Sequence, residues 1–116
     1  MTTIYSNVKD DAGRIKAAVA ENGAQSYRRM VWEDQGNSDT AVKAAVWIAE
    51  PGVYPYPARA LEETFVVMEG EADCRIGEGE KRRIGPGTIV VVPKGATAWL
   101  EVLTSFRKFA MVVPKP

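Results

Sequence analysis

The chain has 116 residues, which is enough for one domain with a buried core but too few for two domains. Fifteen Lys and Arg residues balance fifteen Asp and Glu residues, and 46% of the chain is hydrophobic, a composition that argues against both disorder and a nucleic-acid-binding surface. There is no histidine, which excludes histidine as a general base, as a metal ligand and as the partner of a nucleophile.

Membrane insertion and secretion are not expected. The longest apolar stretch, residues 89–93, is far shorter than a spanning helix, and the N-terminus resembles no signal peptide. The single cysteine, Cys74, cannot form an intrachain disulfide, which agrees with a reducing compartment. We therefore expect a cytoplasmic protein with no membrane partner and no nucleic-acid partner.

Helical periodicity is confined to the start of the chain. A short helix is possible from Asp10 or Asp11, as its N-cap, to Gly23, although Gly13 interrupts it. Residues 1–25 are accordingly predicted to form an N-terminal segment, either an arm or a short helix, ahead of a β domain over residues 26–116.

From residue 26 onward, short β-type runs alternate with Gly, Pro, Asn and Asp. Pro55 and Pro57 restrict one extended segment to an edge strand or a loop. The first two strands are expected to form a hairpin across a polar turn at residues 34–39. The predicted strands are residues 27–33, 41–49, 63–68, 71–76, 81–84, 88–92, 98–103 and 106–113. Their number and spacing, without intervening helices, predict an all-β antiparallel jelly roll.

Two motifs resemble the signatures of the cupin superfamily. Glu63 is followed seven positions later by Gly70, as in the closing half of the first signature. The opening half of the second signature is similar to Gly85-Pro86-Gly87, followed by Pro93 and Gly95. The resemblance implies a cupin-type double-stranded β-helix, or jelly-roll barrel, with at most one short N-terminal helix.

Further stretches resemble one branch of that superfamily. Residues 45–52, with Trp47 and Pro51-Gly52, and residues 102–108 are similar to the cupin-3 family, whose members are described as ureidoglycine aminohydrolase-like. Many of those members have no assigned activity. The resemblance covers roughly residues 44–113, and it does not transfer a function, because one fold hosts many chemistries.

The sequence departs from the family at the metal site. Metal-binding cupins place two histidines shortly before the glutamate and a third in the second motif, whereas here residues 56–62 contain none and the third position is Ala98. Of the four implied ligands only Glu63 remains, and one carboxylate does not hold a transition metal tightly. We therefore expect no metal and no other cofactor.

The resemblance also implies a pocket inside the barrel, largely apolar and with a single carboxylate. Strand alternation sends Glu63 and Phe65 to the same side, with Ala98 and Leu100 facing them from another strand. The residues expected to line the pocket are Tyr54, Tyr56, Arg59, Glu63, Phe65, Cys74, Ala98 and Leu100.

Glu63 is the candidate catalytic residue. A buried carboxylate must be protonated or paired, and Arg59, four residues earlier, is the expected partner. One interpretation makes Glu63 an acid/base or an anchor for a polar ligand, and the other makes the Glu63–Arg59 pair purely structural. Tyr54 and Tyr56 similarly fit either the pocket mouth or ordinary packing, and Cys74 also fits a small buried hydrophobic residue.

Other prominent residues are assigned to the surface. Trp99 alternates with Ala98 and Leu100, so it should face away from the pocket and is a candidate for a subunit contact. The basic runs at residues 81–83 and 107–108 are predicted to be solvated.

Three functions remain open from the sequence. The first is a homodimeric protein that binds an unidentified small molecule without a transition metal. The second is a metal-independent hydrolase, lyase or isomerase that uses Glu63 on a small nitrogenous or carboxylated metabolite. The third is a structural or regulatory barrel filled by its own side chains. An open cavity containing Glu63 would argue against the third. The dimer is expected to form either by face-to-face sheet packing or by residues 1–25 adding a strand to the neighbour.

Overall fold

The computed structural model describes residues 3–33 and 42–113, and within these ranges the chain is all β. The strands are β1 (Ile15–Lys16), β2 (Ser26–Glu33), β3 (Lys43–Ala49), β4 (Gly52–Tyr56), β5 (Glu62–Glu69), β6 (Ala72–Ile76), β7 (Arg82–Ile84), β8 (Ile89–Val92), β9 (Ala98–Val102) and β10 (Phe106–Val113). This architecture confirms the predicted all-β jelly roll. No helix suited to spanning a bilayer occurs among the described residues.

The strands form two antiparallel sheets. The six-stranded sheet has the order β1-β2-β3-β10-β5-β8, and the four-stranded sheet has the order β4-β9-β6-β7. As expected from its prolines, β4 is an edge strand. Strands β2 and β3 pair with each other as predicted, whereas the predicted turn at residues 34–39 lies outside the described residues.

The core lies between the two sheets and follows strand alternation. Glu63, Phe65 and Val67 on β5 are buried, whereas Thr64 and Met68 between and beyond them are exposed. On β9, Ala98, Leu100 and Val102 are buried in the same alternating way. The register predicted for both strands is therefore confirmed.

The helix considered for the N-terminal segment does not form. Gly13 has a φ of 79°, which no helix accommodates, and Ile15 and Val19 are both 56% exposed, so these two large apolar side chains do not form the buried face of a helix. Instead, Ile15 and Lys16 add a short strand to the edge of β2. Asp11, one candidate N-cap, pairs with Arg107 at 2.7 Å and thereby attaches the segment to β10.

Gly70 allows the tight turn from β5 into β6. Its φ is 83°, and a Cβ built there would lie 2.1 Å from the carbonyl oxygen of Ser105. Both the backbone conformation and the close approach therefore require glycine. At this turn the chain passes from β5, the strand of the six-stranded sheet that carries Glu63, to β6 of the four-stranded sheet.

Candidate functional site

A cleft of about 390 Å³ opens on the inner face of the six-stranded sheet. Its floor comes from β2, β3, β10 and β5, and its wall comes from the segment after β4 and from Ala17 and Ala18 of the N-terminal segment. The lining residues are Ala17, Ala18, Arg28, Met30, Lys43, Ala45, Trp47, Tyr56, Arg59, Ala60, Leu61, Glu63, Lys108, Ala110 and Val112. A volume of this size suits a small metabolite.

Small side chains in the middle of the floor create the space. Ala110 of β10 is paired with Ala45 of β3, and Ala45 is paired in turn with Met30 of β2. The next row contains larger residues, with Lys108 paired to Trp47. The alanines therefore leave open space above the floor. We refer to the part of the cleft around Lys108 and Glu63 as its inner end.

Glu63 is buried between two cations. Its Oε1 accepts a hydrogen bond from Arg59 Nη2 at 2.9 Å, and its Oε2 lies 3.2 Å from Lys108 Nζ. The Arg59 contact is the pairing expected from the sequence. Because two cations share one carboxylate, the inner end of the cleft carries an excess positive charge when all three groups are ionised.

Lys108 is surrounded by aromatic rings as well as by charge. Its Nζ lies 4.1 Å from the ring centroid of Phe65, 5.1 Å from Trp47 and 5.6 Å from Tyr56. Burial lowers the pKa of Lys108; the charge of Glu63 opposes this shift, and the charge of Arg59 adds to it. The amine is thus held in a site where losing its proton is easier than in water.

Three buried polar atoms at the cleft have no hydrogen-bond partner among the described residues. They are Trp47 Nε1, Tyr56 Oη and Arg59 Nε. The indole and guanidinium nitrogens are donors only, and burial raises the pKa of Tyr56, which keeps its phenol protonated. Since buried donors are normally satisfied, these atoms call for an acceptor, such as a ligand oxygen or a bound water.

The charges around the cleft favour an anion. Four cationic side chains line it, Arg28, Lys43, Arg59 and Lys108, against one lining carboxylate, Glu63. Lys43 also has a carboxylate outside the cleft, because its Nζ lies 3.9 Å from Glu33 Oε1. The sequence had predicted a largely apolar cavity with a single carboxylate. The structure corrects that expectation, because three of the four cations come from strands that were not considered part of the pocket.

The structure places the predicted pocket residues in two groups. Tyr56, Arg59 and Glu63 line the cleft. The other five belong to the packed core between the sheets, and none of them lines the cleft: Tyr54, Phe65, Cys74, Ala98 and Leu100. Four of them lie on the paired strands β4, β6 and β9 of the four-stranded sheet, and Phe65 lies on β5.

Two of those core residues have specific environments. The hydroxyl of Tyr54 donates to the carbonyl of Glu50 at 2.7 Å, with the carbonyl of Gln25 at 3.1 Å, so it ties β4 to its neighbours. Burial raises the pKa of the Cys74 thiol, which agrees with the interpretation of Cys74 as a small buried hydrophobic residue.

Lys108 is the functional candidate that the sequence analysis missed. The run Arg107-Lys108 was predicted to be solvated, but Lys108 is only 4% exposed and Arg107 is covered by the N-terminal segment through Val8 and Asp11. Strand alternation could have indicated its burial, because Lys108 lies two residues after the buried Phe106 and therefore on the same face of β10. By contrast, the predicted exposure of residues 81–83 matches the structure.

Trp99 lies outside the cleft, as predicted. It is on β9 of the four-stranded sheet, partly exposed, with Lys81 Nζ 5.8 Å from its ring centroid. A role in a subunit contact stays a prediction.

The donors present do not fit the metal site implied by the cupin resemblance. No group of three or more His, Cys, Asp or Glu side chains in the described ranges is arranged to hold a metal ion. Glu63, the one ligand position retained, has both carboxylate oxygens engaged by Arg59 and Lys108. Two adjacent cations repel a divalent ion.

The family model described as EutQ-like cupin domain matches residues 36–110, more than half of the chain. The chain belongs to the EutQ-like cupin domain family. The match includes Trp47, Tyr56, Arg59, Glu63 and Lys108, so the inner end of the cleft lies within the family domain. A search of curated proteins finds no match.

Several solved structures share this cupin fold. EutQ from Clostridium difficile is 16% identical with a TM-score of 0.68, and the match covers 85% of this chain and 75% of EutQ. KdgF from Halomonas sp. is 19% identical with a TM-score of 0.68, and the match covers 97% and 96% of the two chains. The DMSP lyase DddQ from Ruegeria pomeroyi DSS-3 is 24% identical with a TM-score of 0.62, over 76% of this chain and 46% of DddQ. At these identities the similarity establishes the fold alone.

Proposed function

We propose that this cupin domain binds a small carboxylate-bearing metabolite in the cleft, without a transition metal. The observation that carries the proposal is the combination of four cations against one carboxylate with three unpartnered buried donor atoms. A carboxylate supplies both the negative charge and the acceptor oxygens that such a site requires. The alanine-lined part of the floor offers an apolar surface for the remainder of the ligand.

A thermal-shift screen tests this proposal. The panel comprises acetate, pyruvate, lactate, succinate and citrate, with the uncharged amides and simple amines of similar size as comparisons. At least one carboxylate should raise the melting temperature in a saturable way, because a ligand that binds only the native state stabilises it by mass action. The amides and amines should have no effect.

Matched variants locate the binding site. Arg59→Gln should abolish the shift caused by the carboxylate, because it removes a cation from the inner end of the cleft. Lys81→Met removes an exposed cation beside Trp99, on the other sheet, and should leave the shift unchanged. Equal loss in both variants, or stabilisation by amines rather than acids, would refute the proposal.

A metal-independent enzyme is the second candidate, and the buried Glu63–Lys108 pair favours it. An acid and a base 3.2 Å apart at the end of a cleft are suited to proton transfer on a bound ligand. A ureidoglycine aminohydrolase-like activity would fall within this candidate. A barrel filled by its own side chains, the third interpretation, does not fit a cleft of about 390 Å³.

We further infer a homodimer that packs through the outer face of the six-stranded sheet. Met111 lies in one row with Thr64 and Val91 on that face, and Ile89 lies beside Val66 in the next. Ile89 and Val91 are 68% and 51% exposed, and neighbouring exposed apolar side chains of this kind favour an interface. A cytoplasmic location stays a prediction, which the buried free thiol of Cys74 supports.

A further inference from the structure

The inner end of the cleft contains a buried primary amine that simple anion binding does not require. Arg28, Lys43 and Arg59 already provide positive charge, yet Lys108 is buried deeper than any of them. An ammonium group in this position is costly to desolvate. Its placement therefore points to a chemical role for the amine.

The surroundings of Lys108 match those of nucleophilic lysines. Such lysines are activated by desolvation in an apolar pocket or by a neighbouring cation. Lys108 has both, because Phe65 lies against its Nζ and Arg59 competes for the same carboxylate. Of the two cations beside Glu63, only the lysine can release its proton, since a guanidinium stays charged.

The groups around Lys108 determine the equilibrium between its ammonium form and its neutral amine form. The rings of Phe65, Trp47 and Tyr56 favour the ammonium form, and so does the charge of Glu63. Burial and the charge of Arg59 favour the neutral amine. When Lys108 gives its proton to Glu63, the acceptor lies only 3.2 Å away, so the transfer needs no solvent.

We propose that Lys108 forms a Schiff base with a ligand that carries a carbonyl group as well as a carboxylate, of which a 2-oxo acid is the simplest class. The proposal rests on the proposed carboxylate-binding function. It makes the cleft an imine-forming site and narrows the ligand class from carboxylates to oxo acids.

The proposed step is balanced within the site. Glu63 accepts a proton from the ammonium of Lys108, and the free amine attacks the carbonyl carbon to form a C–N bond. The carbonyl oxygen takes up the proton released from nitrogen, which gives a carbinolamine. Glu63 then returns its proton to the hydroxyl, which leaves as water as the C=N bond forms. No oxidant, reductant or metal is needed.

Borohydride trapping with pyruvate tests the proposal. The 116-residue protein is incubated with pyruvate, reduced with sodium borohydride and analysed by intact mass and peptide mapping. We expect one reduced pyruvyl group per chain, located on Lys108, and slower trapping in Glu63→Gln. Lys81→Met, which alters an exposed lysine outside the cleft, should be trapped at the wild-type rate. Peptide mapping of the wild type gives the position even if Lys108→Met fails to fold.

The outcomes separate this inference from the proposed function. Thermal stabilisation by pyruvate without an adduct on Lys108 would overturn the Schiff base and leave carboxylate binding intact. Adducts distributed over the exposed lysines would overturn it as well. If neither pyruvate nor any other acid of the panel binds, the proposed function fails together with the inference.

Discussion

Glu63 compensates the charge of the buried Lys108 and of the partly buried Arg59, and this makes it the most sensitive charged residue of the cleft. Glu63→Gln preserves the shape of the side chain but leaves Arg59 and Lys108 without their anion. Breaking a buried ion pair by removing one partner costs about 3–5 kcal/mol. We expect Glu63→Gln to lower the free energy of unfolding by an amount of that order, measured by urea denaturation.

The double variant provides the control for this prediction. Adding Lys108→Met removes one of the uncompensated cations, so the double variant should be more stable than Glu63→Gln alone. Glu78→Gln, in the exposed turn after β6, should be nearly neutral. A Glu63→Gln protein as stable as Glu78→Gln would show that the pair contributes little to the native state.

At the residue scale, the sequence predicted one half of the charged cluster and missed the other. The Arg59–Glu63 pair follows from a local spacing of four residues. The burial of Lys108 does not, because the rings that cover it come from β3, β4 and β5. In the sequence, Arg107-Lys108 is simply a charged dipeptide; only the strand order β3-β10-β5 makes it central.

At the element scale, the predicted strands agree with the observed ones to within one or two residues, because turn residues mark the ends of almost every strand. The N-terminal segment was harder to predict. Its structure depends on distant partners, such as Asp11 with Arg107 and Ser6 with Arg29. Local propensity carries no information about such contacts.

The β5–β6 turn gives a prediction at this scale. Gly70→Ala introduces a side chain at positive φ and places its Cβ against the carbonyl of Ser105. We expect a loss of about 2–4 kcal/mol in unfolding free energy, from backbone strain and overpacking together. Thermal and urea denaturation measure it.

Gly87→Ala is the matched control for Gly70→Ala. Gly87 also has a positive φ, 89°, but a Cβ there would meet nothing within 4 Å. It should therefore lose only the strain contribution, about 1 kcal/mol. If both variants lost the same amount of unfolding free energy, the backbone around Ser105 would have to move away from the new Cβ without an energetic cost, which would contradict the prediction.

At the scale of the whole molecule, the outer face of the six-stranded sheet decides the proposed assembly. Val91→Lys should convert the dimer to a monomer, because it places a charge among the exposed apolar side chains of that face, Ile89 and Met111. Val19→Lys alters a similarly exposed valine on the N-terminal segment and should leave the dimer intact. Light scattering at micromolar concentration measures the mass.

The competing dimer mode makes the opposite prediction. If the N-terminal segment added a strand to the neighbour, Val19→Lys or a deletion of residues 1–25 would weaken the dimer more than Val91→Lys. The contacts of Asp11 and Ser6 within the same chain favour the face-to-face mode. A monomeric wild-type protein would contradict both.

The indole N–H signals in a nitrogen-15 correlation spectrum test the central claim most directly. The chain has three tryptophans, and among the described residues only Trp47 combines an unpartnered buried Nε1 with a place in the cleft. On titration with the acid that stabilises the protein most, the Trp47 signal, assigned with Trp47→Phe, should shift in a saturable way. The signal of Trp99, beside Lys81 on the other sheet, should not move. A carboxylate that binds without affecting the Trp47 signal, or that shifts the signals of Trp47 and Trp99 equally, would contradict the assignment of the cleft as the ligand site.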